Sequence, residues 1–282
     1  MDSKIAFRSQ GQGEIVVLLH GYAGSVSHWD PLRPLLSKYY QVIVPNLTHL
    51  TLGRTAMSFS AQVDELGRFI RKFNRGRPVN LVGLSYGAAL TWGLATRYPE
   101  LVSRVVMINP LPPEPIKSIS WSGLRRFLSF PITARLLIPF LGSRWGREFL
   151  RSSAEIFRNV DHAPSTDRIE GLEGRRMQFV AHLMLRFSWI LKNERWDFWQ
   201  KKLEFWTHET LMVYDEQDPL IKHQAYEDFC ELLGVSQKLV TQGAGHISPI
   251  NSPHMICWEV MKFLVDQKSP LVIPPNPTLK TG

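Results

Sequence analysis

Two kinds of segment alternate along this chain, and that alternation constrains its fold more than any other feature. Short, uninterrupted apolar runs rich in β-branched residues stand at Ile15–Leu19, Gln41–Pro45, Val79–Leu84, 104–109, 210–214 and 238–241. Between several of them lie stretches with helical spacing. In 61–73 the apolar positions are Val63, Leu66, Phe69 and Ile70; 88–98 reads as a helix ended by Pro99, and 224–233 and 253–265 as two more. A run with no polar face has to be covered on both sides, which is the pattern of parallel strands. Strands separated by helices join through right-handed crossovers. The expectation is an α/β fold with a mostly parallel central sheet flanked by helices. The 282 residues are 44% hydrophobic, enough for a sizeable core.

The rhythm breaks between 111 and 206. No strand-like run occurs there, and Arg, Trp, Phe and Leu dominate, with helical spacing near 136–141 and 177–191. The stretch separates two strands that belong to one sheet, so it reads as a helical cap or lid inserted into the core. The organisation expected is a core of residues 1–110 and 207–268, a cap of 111–206 and a loose Pro-rich tail of 269–282. Residues 115–160 interleave Arg125, Arg126, Arg135 and Arg144 with Trp121, Phe127, Phe130 and Trp145. Such a segment suits an anionic membrane surface, the roof of a pocket for a long acyl chain, or simple packing over the core. The three readings stay open on sequence grounds.

Four short motifs carry the chemistry. Gly83-Leu84-Ser85-Tyr86-Gly87 sits between a strand and a helix. A turn that sharp leaves no room for bulky side chains two positions either side of Ser85, and it lifts the serine oxygen above the sheet edge. His20-Gly21-Tyr22-Ala23-Gly24-Ser25 follows the first strand. An oxyanion needs preorganised N–H donors, and Tyr22 and Tyr86 are the candidates to supply them from the backbone. His20, at a buried strand end, reads as structural, holding the loop by hydrogen bonds. Tyr214 to Ile221 follows the strand at 210–214 and offers three carboxylates. Asp218 is favoured as the acid that orients a histidine because it lies further out in the loop. Asp215 is next, and Asp215 and Glu216 otherwise read as solvated loop residues. Gly243-Ala244-Gly245-His246 places a histidine at a strand end, where it could accept and return the Ser85 proton.

The chain resembles the α/β-hydrolase superfamily, in the form with a helical cap. Residues 20–29, HGYAGSVSHW, are similar to that family's oxyanion loop, GLSYG to its nucleophile elbow, Tyr214 to Ile221 to its acid loop and GAGH to its histidine loop. The resemblance covers 11–110 and 207–266. It departs after the strand Gln41–Pro45, where Asn46 to Gly53 replaces an Asp followed by a Gly-rich loop. The resemblance implies a catalytic set of Ser85 as nucleophile, His246 as base and Asp218 as acid, in the chain order Ser, Asp, His. It implies a carboxylesterase- or lipase-like serine hydrolase acting on a hydrophobic small molecule or lipid-like ester, with no cofactor and no metal. Relatives with the same set cleave carbon–carbon bonds or act as haloperoxidases, so a carbon–carbon bond hydrolase or lyase is the first alternative. A catalytically idle binding protein on the same fold is the second.

The remaining features narrow the setting. The net charge of +8 suggests an anionic partner or simply a solvated basic face. No nucleic-acid reader motif appears, and His208, His223 and His254 lack partners at metal-ligand spacing. Cys230 and Cys257 lie in apolar helical patterns and read as small buried hydrophobes, with a bridge between them left open. The N-terminus has no signal-like apolar stretch and no run is long enough to span a membrane. The expected location is cytoplasmic, with peripheral contact to an anionic membrane through the basic cap as the alternative.

Overall fold

The computed structural model describes residues 5–52, 57–120 and 173–264, with the single positions 122 and 125. Its sheet comprises β1 (Phe7–Gln10), β2 (Ile15–Leu19), β3 (Gln41–Pro45), β4 (Val79–Leu84), β5 (Val102–Ile108), β6 (Thr210–Asp215) and β7 (Gln237–Thr241). The spatial order is β1-β3-β2-β4-β5-β6-β7. Only β1 runs antiparallel, pairing Phe7 with Pro45 and Gln10 with Val42. The other neighbours are parallel, as the uninterrupted apolar runs require. Expected strand limits hold to within two residues. β1 was not anticipated: all four of its residues are exposed, so it has no apolar run to betray it.

The described helices are α1 (Arg33–Leu36), α2 (Thr48–Leu52), α3 (Phe59–Arg71), α4 (Tyr86–Arg97), α5 (Pro115–Ser118), α6 (Glu173–Lys192), α7 (Trp196–Leu203), α8 (His223–Leu233), α9 (Ser248–Asn251) and α10 (Pro253–Leu264). Side chains on alternate strand positions feed two separate cores, the consequence of the two-residue period of a strand. Val17, Leu19, Leu81, Val105, Met107 and Met212 join α3, α4, α7 and α8 on one face. Val16, Leu18, Val82, Leu84, Val106 and Val213 join α10 and the segment around Trp29 and Leu36 on the other. Cys230 belongs to the first core and Cys257 to the second, and both are free thiols. The sheet therefore separates them, which closes the bridge left open above.

β2 is the point where the winding reverses. The chain passes from β2 to β3 on one side, then returns to β4 on the other. In such sheets the crevice outside the carboxyl ends at the reversal is where ligands bind. Here β2 and β4 pair directly, Leu18 with Val82 and Leu19 with Gly83, so the loops that follow them emerge side by side.

Most of the inserted stretch, including its aromatic and basic residues between 126 and 172, lies outside the described residues, as do the tail from 265 onward and part of the loop from 53 to 56. The described elements of the stretch are helices, α5, α6 and α7, apart from one isolated bridge between Ile119 and Ile221. Its C-terminal portion is built into the core. Ile190, Leu191, Trp199 and Leu203 are buried with α4, and Trp199 meets Trp92 at 5.8 Å between ring centroids. Glu194, between α6 and α7, accepts hydrogen bonds from the Ser60 N–H at 2.8 Å, the Ser60 hydroxyl at 2.7 Å and Trp199 Nε1 at 3.0 Å. Ser60 lies in the first turn of α3, where backbone N–H groups have no partner within the helix, so the carboxylate fastens the end of the insertion to the core. No described helix is long and apolar enough to cross a membrane.

Candidate active site

Ser85 sits between β4 and α4 with φ +55° and ψ −117°, a conformation that a serine adopts only under compulsion. The compulsion is the short connection itself: β4 ends at Leu84, α4 begins at Tyr86, and the Ser85 N–H is held by the Ile108 carbonyl at 2.9 Å. Both flanking glycines are needed. A Cβ at Gly87 would collide with the Leu19 carbonyl and lie 2.5 Å from that of His20, and one at Gly83 would lie 2.5 Å from Ala88 Cα. The requirement read from the motif thus has a specific origin, the strand β2 on one side and the first turn of α4 on the other.

The structure brings Ser85, His246 and Asp218 together, though 161 residues separate the first two. His246 Nε2 is 2.8 Å from Ser85 Oγ, and His246 Nδ1 is 2.6 Å from Asp218 Oδ2. An ionised carboxylate only accepts, so the Nδ1 proton points at Asp218 and the Nε2 lone pair faces the serine. Asp218 is fully shielded from solvent at its side chain and His246 is 9% exposed. Burial on its own would push the Asp218 carboxyl upward. The charge of His246, hydrogen bonds from His246 and Tyr226 and the Leu220 N–H outweigh it, and the carboxyl is held below its ordinary value. The second oxygen, Oδ1, accepts from the N–H groups of Leu220 at 2.7 Å and Ile221 at 3.1 Å.

Asp215, the runner-up acid, does not reach His246, nor is it the solvated loop residue expected. It is completely buried at the end of β6. Its carboxylate accepts from Thr241 Oγ1 at 2.9 Å, the Ala244 N–H at 2.7 Å and the Gln217 N–H at 2.9 Å. It stitches the acid loop to the histidine loop. The reason is position: Asp215 is still paired with β7, whereas Asp218 is three residues further out. Glu216 is exposed, as expected.

Sequence reasoning missed two residues here. Asn109, buried with φ +43°, accepts the Asp215 N–H at 3.0 Å through Oδ1. Its Nδ2 donates to the carbonyls of Gly245 at 3.1 Å and His246 at 2.8 Å. Tyr226 on α8 donates its hydroxyl to Asp218 Oδ2 at 2.6 Å. The only sequence signal for Asn109 is an asparagine closing a strand, a residue type tolerant of the left-handed region. Tyr226 sits in an apolar helical pattern and carries none.

The loop after β2 lies against the serine: a Cβ on Gly21 would be 3.4 Å from Ser85 Cβ and 3.8 Å from Oγ. Among the described residues the backbone N–H groups of Tyr22 and Tyr86 meet no acceptor. The tyrosine side chains are engaged elsewhere. Tyr86 donates to Gln62 at 3.1 Å, and Tyr22 donates to the Leu183 carbonyl of α6 at 2.8 Å while its ring tilts over Phe187 at 4.5 Å. His20 is buried. Its Nε2 accepts the Leu47 N–H at 3.0 Å and its Nδ1–H donates to the Gly21 carbonyl at 2.9 Å, so it holds the loop as expected. Burial lowers its pKa to about 4, leaving the ring neutral.

Comparison with known proteins agrees with this architecture. The sequence pattern of the α/β-hydrolase fold matches residues 14–253. The chain belongs to the α/β-hydrolase family. An esterase of pimeloyl-[acyl-carrier protein] methyl ester from Vibrio vulnificus is 20% identical, over 93% of this chain and 99% of that protein. A 2-hydroxy-6-oxo-6-(2'-aminophenyl)hexa-2,4-dienoic acid hydrolase from Metapseudomonas resinovorans is 23% identical over 90% of this chain and 85% of that one. With some other curated relatives the match spans only 36% to 39% of their length. Among solved structures, a thermophilic esterase from Thermogutta terrifontis superposes with a TM-score of 0.66 at 17% identity, covering 92% of both chains. That similarity concerns the fold.

Proposed function

We propose that this α/β-hydrolase is a serine hydrolase that cleaves an ester-type bond of a hydrophobic small molecule or lipid-like substrate. The observation that carries the reading is the 2.8 Å contact between Ser85 Oγ and His246 Nε2, with Asp218 behind the ring. Ser85 Oγ attacks the substrate carbonyl as its proton passes to His246 Nε2. Charge gathers on the carbonyl oxygen, where the N–H groups of Tyr22 and Tyr86 stabilise it. Asp218 stabilises the imidazolium and keeps its tautomer. His246 then protonates the leaving alcohol, and the Ser85 acyl ester remains. Water, deprotonated by the same nitrogen, attacks that ester and releases the acid and the serine.

The rings of Tyr22 and Phe187 beside the loop after β2 favour an apolar substrate. The full-length match to a methyl ester esterase supports an ester as the scissile group. The match to a dienoic acid hydrolase supports the second reading, carbon–carbon bond cleavage by the same three residues. The test is the variant Ser85→Ala assayed on p-nitrophenyl esters of increasing acyl length. We expect kcat/KM to fall by about 10⁴-fold or more, with the folded state retained. Unchanged ester hydrolysis in the variant would reject the reading. Hydrolysis of a vinylogous diketone substrate in preference to every ester would favour the second.

A further inference from the structure

Asp218 receives four hydrogen bonds, and they are divided unevenly in kind. Oδ1 takes two backbone N–H groups, from Leu220 and Ile221. Oδ2, the oxygen that faces His246 Nδ1 at 2.6 Å, also takes the Tyr226 hydroxyl at 2.6 Å. Catalysis by the relay needs only the histidine there. A phenylalanine would fill the same space on α8 without bringing a hydroxyl into a fully buried site, where it costs free energy unless it is paired. The tyrosine ring is fixed from below, stacked on Tyr214 at 4.9 Å and 27° between planes. Its hydroxyl is therefore aimed at Oδ2 by the packing of α8 on β6, independently of the state of His246.

We propose that Tyr226 is a positioning residue that acts through Asp218, sharing Oδ2 with His246 and so setting how strongly the carboxylate holds the imidazolium. The inference rests on the catalytic reading of Ser85, His246 and Asp218 given above. A carboxylate oxygen that already accepts one short hydrogen bond is a weaker acceptor for the next, so His246 sheds its proton more readily than it would opposite an undivided oxygen. The hydroxyl also pins the carboxylate plane, leaving Oδ2 no freedom to swing from the ring. The titratable groups that face this arrangement are Asp215 at the end of β6, held by Thr241 and Ala244, Tyr214 on β6, and Ser85 at the elbow. Asp215 contributes a second negative charge toward Tyr226. Burial first, then the charge and hydrogen bond of Asp218 and last the charge of Asp215 hold the phenol protonated, so that it always donates.

The experiment measures covalent labelling of Ser85 by a fluorophosphonate as a function of pH. In that reaction the serine oxygen bonds phosphorus, fluoride leaves and the serine proton passes to His246, so the acid limb reports the histidine. In Tyr226→Phe the limb should move upward by about half a unit or more, and the plateau rate should fall about three- to thirtyfold because the unpinned carboxylate no longer holds the ring in place, a loss that outweighs the stronger base. In an Asp218→Asn background the same change should alter the rate by less than about twofold, because the group it acts through is gone. Replacing Tyr226 by 3-fluorotyrosine, a stronger donor with the same ring, should move the limb the other way even if the phenylalanine variant folds poorly. Superimposable pH profiles, or an equal loss in both backgrounds, would reduce Tyr226 to a packing residue and overturn the inference. Failure of Ser85 to label in the unaltered protein, or equal labelling of Ser85→Ala, would instead overturn the catalytic reading itself.

Discussion

Asn109 shows how much of the site depends on one residue that touches no reacting atom. It closes β5 in the left-handed region and joins three segments, the strand end, the acid loop through Asp215 and the histidine loop through residues 245 and 246. Replacing it with alanine removes these bonds, strands the buried Asp215 N–H and leaves a Cβ-bearing residue at φ +43° without local compensation. We expect Asn109→Ala to lower stability by about 2–4 kcal/mol, read from urea midpoints. On the proposed function, ester turnover should fall more than stability alone explains, because the carbonyl of His246 loses its anchor. At this scale the motif residues were legible: Gly83, Ser85, Gly87 and His246 occur in a combination with few other uses. Choosing Asp218 over Asp215 required only counting outward from the strand. Asn109 and Tyr226 were not legible, because an asparagine before a proline reads as a strand stop and a tyrosine among apolar helix positions reads as core. Both do those things as well.

Among the elements, the junction of α6 and α7 is where the insertion meets the core. Glu194 there accepts two donors from Ser60 and one from Trp199. Glu194→Ala should cost about 2–3 kcal/mol, since bonds to a charged acceptor each contribute about 1.5–3 kcal/mol and the site is only partly buried. Faster amide hydrogen exchange at Ser60 and Ala61, with exchange in β4 unchanged, would show that the loss is local to this fastening. Buried strands announced themselves through their apolar runs and most long helices through their spacing. α4 was legible for a different reason: Tyr86 to Ala95 are all buried, so it has no polar face, and only the elbow motif before it and Pro99 after it marked its limits. β1 failed because an exposed edge strand, FRSQ, needs no apolar residues to pair. Glu194 resembled any helix-flanking carboxylate.

For the molecule as a whole, the buried histidine of the β2 loop ties stability to pH. An unfolded His20 takes a proton below about 6.5, whereas the folded ring does not until about 4. The unfolded state therefore binds more protons in that window, and stability present in full above it is lost as pH falls through it. The difference corresponds to about 3 kcal/mol at 1.36 kcal/mol per unit. His28, also lowered by burial, adds in the same direction. Asp218 acts later, below the ordinary carboxylate range. Urea midpoints at pH 7 and pH 5 should differ measurably in the unaltered protein and by distinctly less in His20→Gln. An equal drop in both would assign the dependence elsewhere.

β5 and β6 are hydrogen-bonded neighbours, from Val105 opposite Thr210 to Ile108 opposite Val213. The part of the chain between Ser120 and Ile190 is therefore a detour that the sheet does not need for its register. A gene exchange that swapped this detour for another protein's would leave the serine, acid and histidine on their original supports. The seam could not be placed at the return to β6, however. Ile190, Leu191, Trp199 and Leu203 would leave a hole beside α4, so the graft has to end ahead of Ile190 and keep Glu194, with the helix behind it, as part of the recipient.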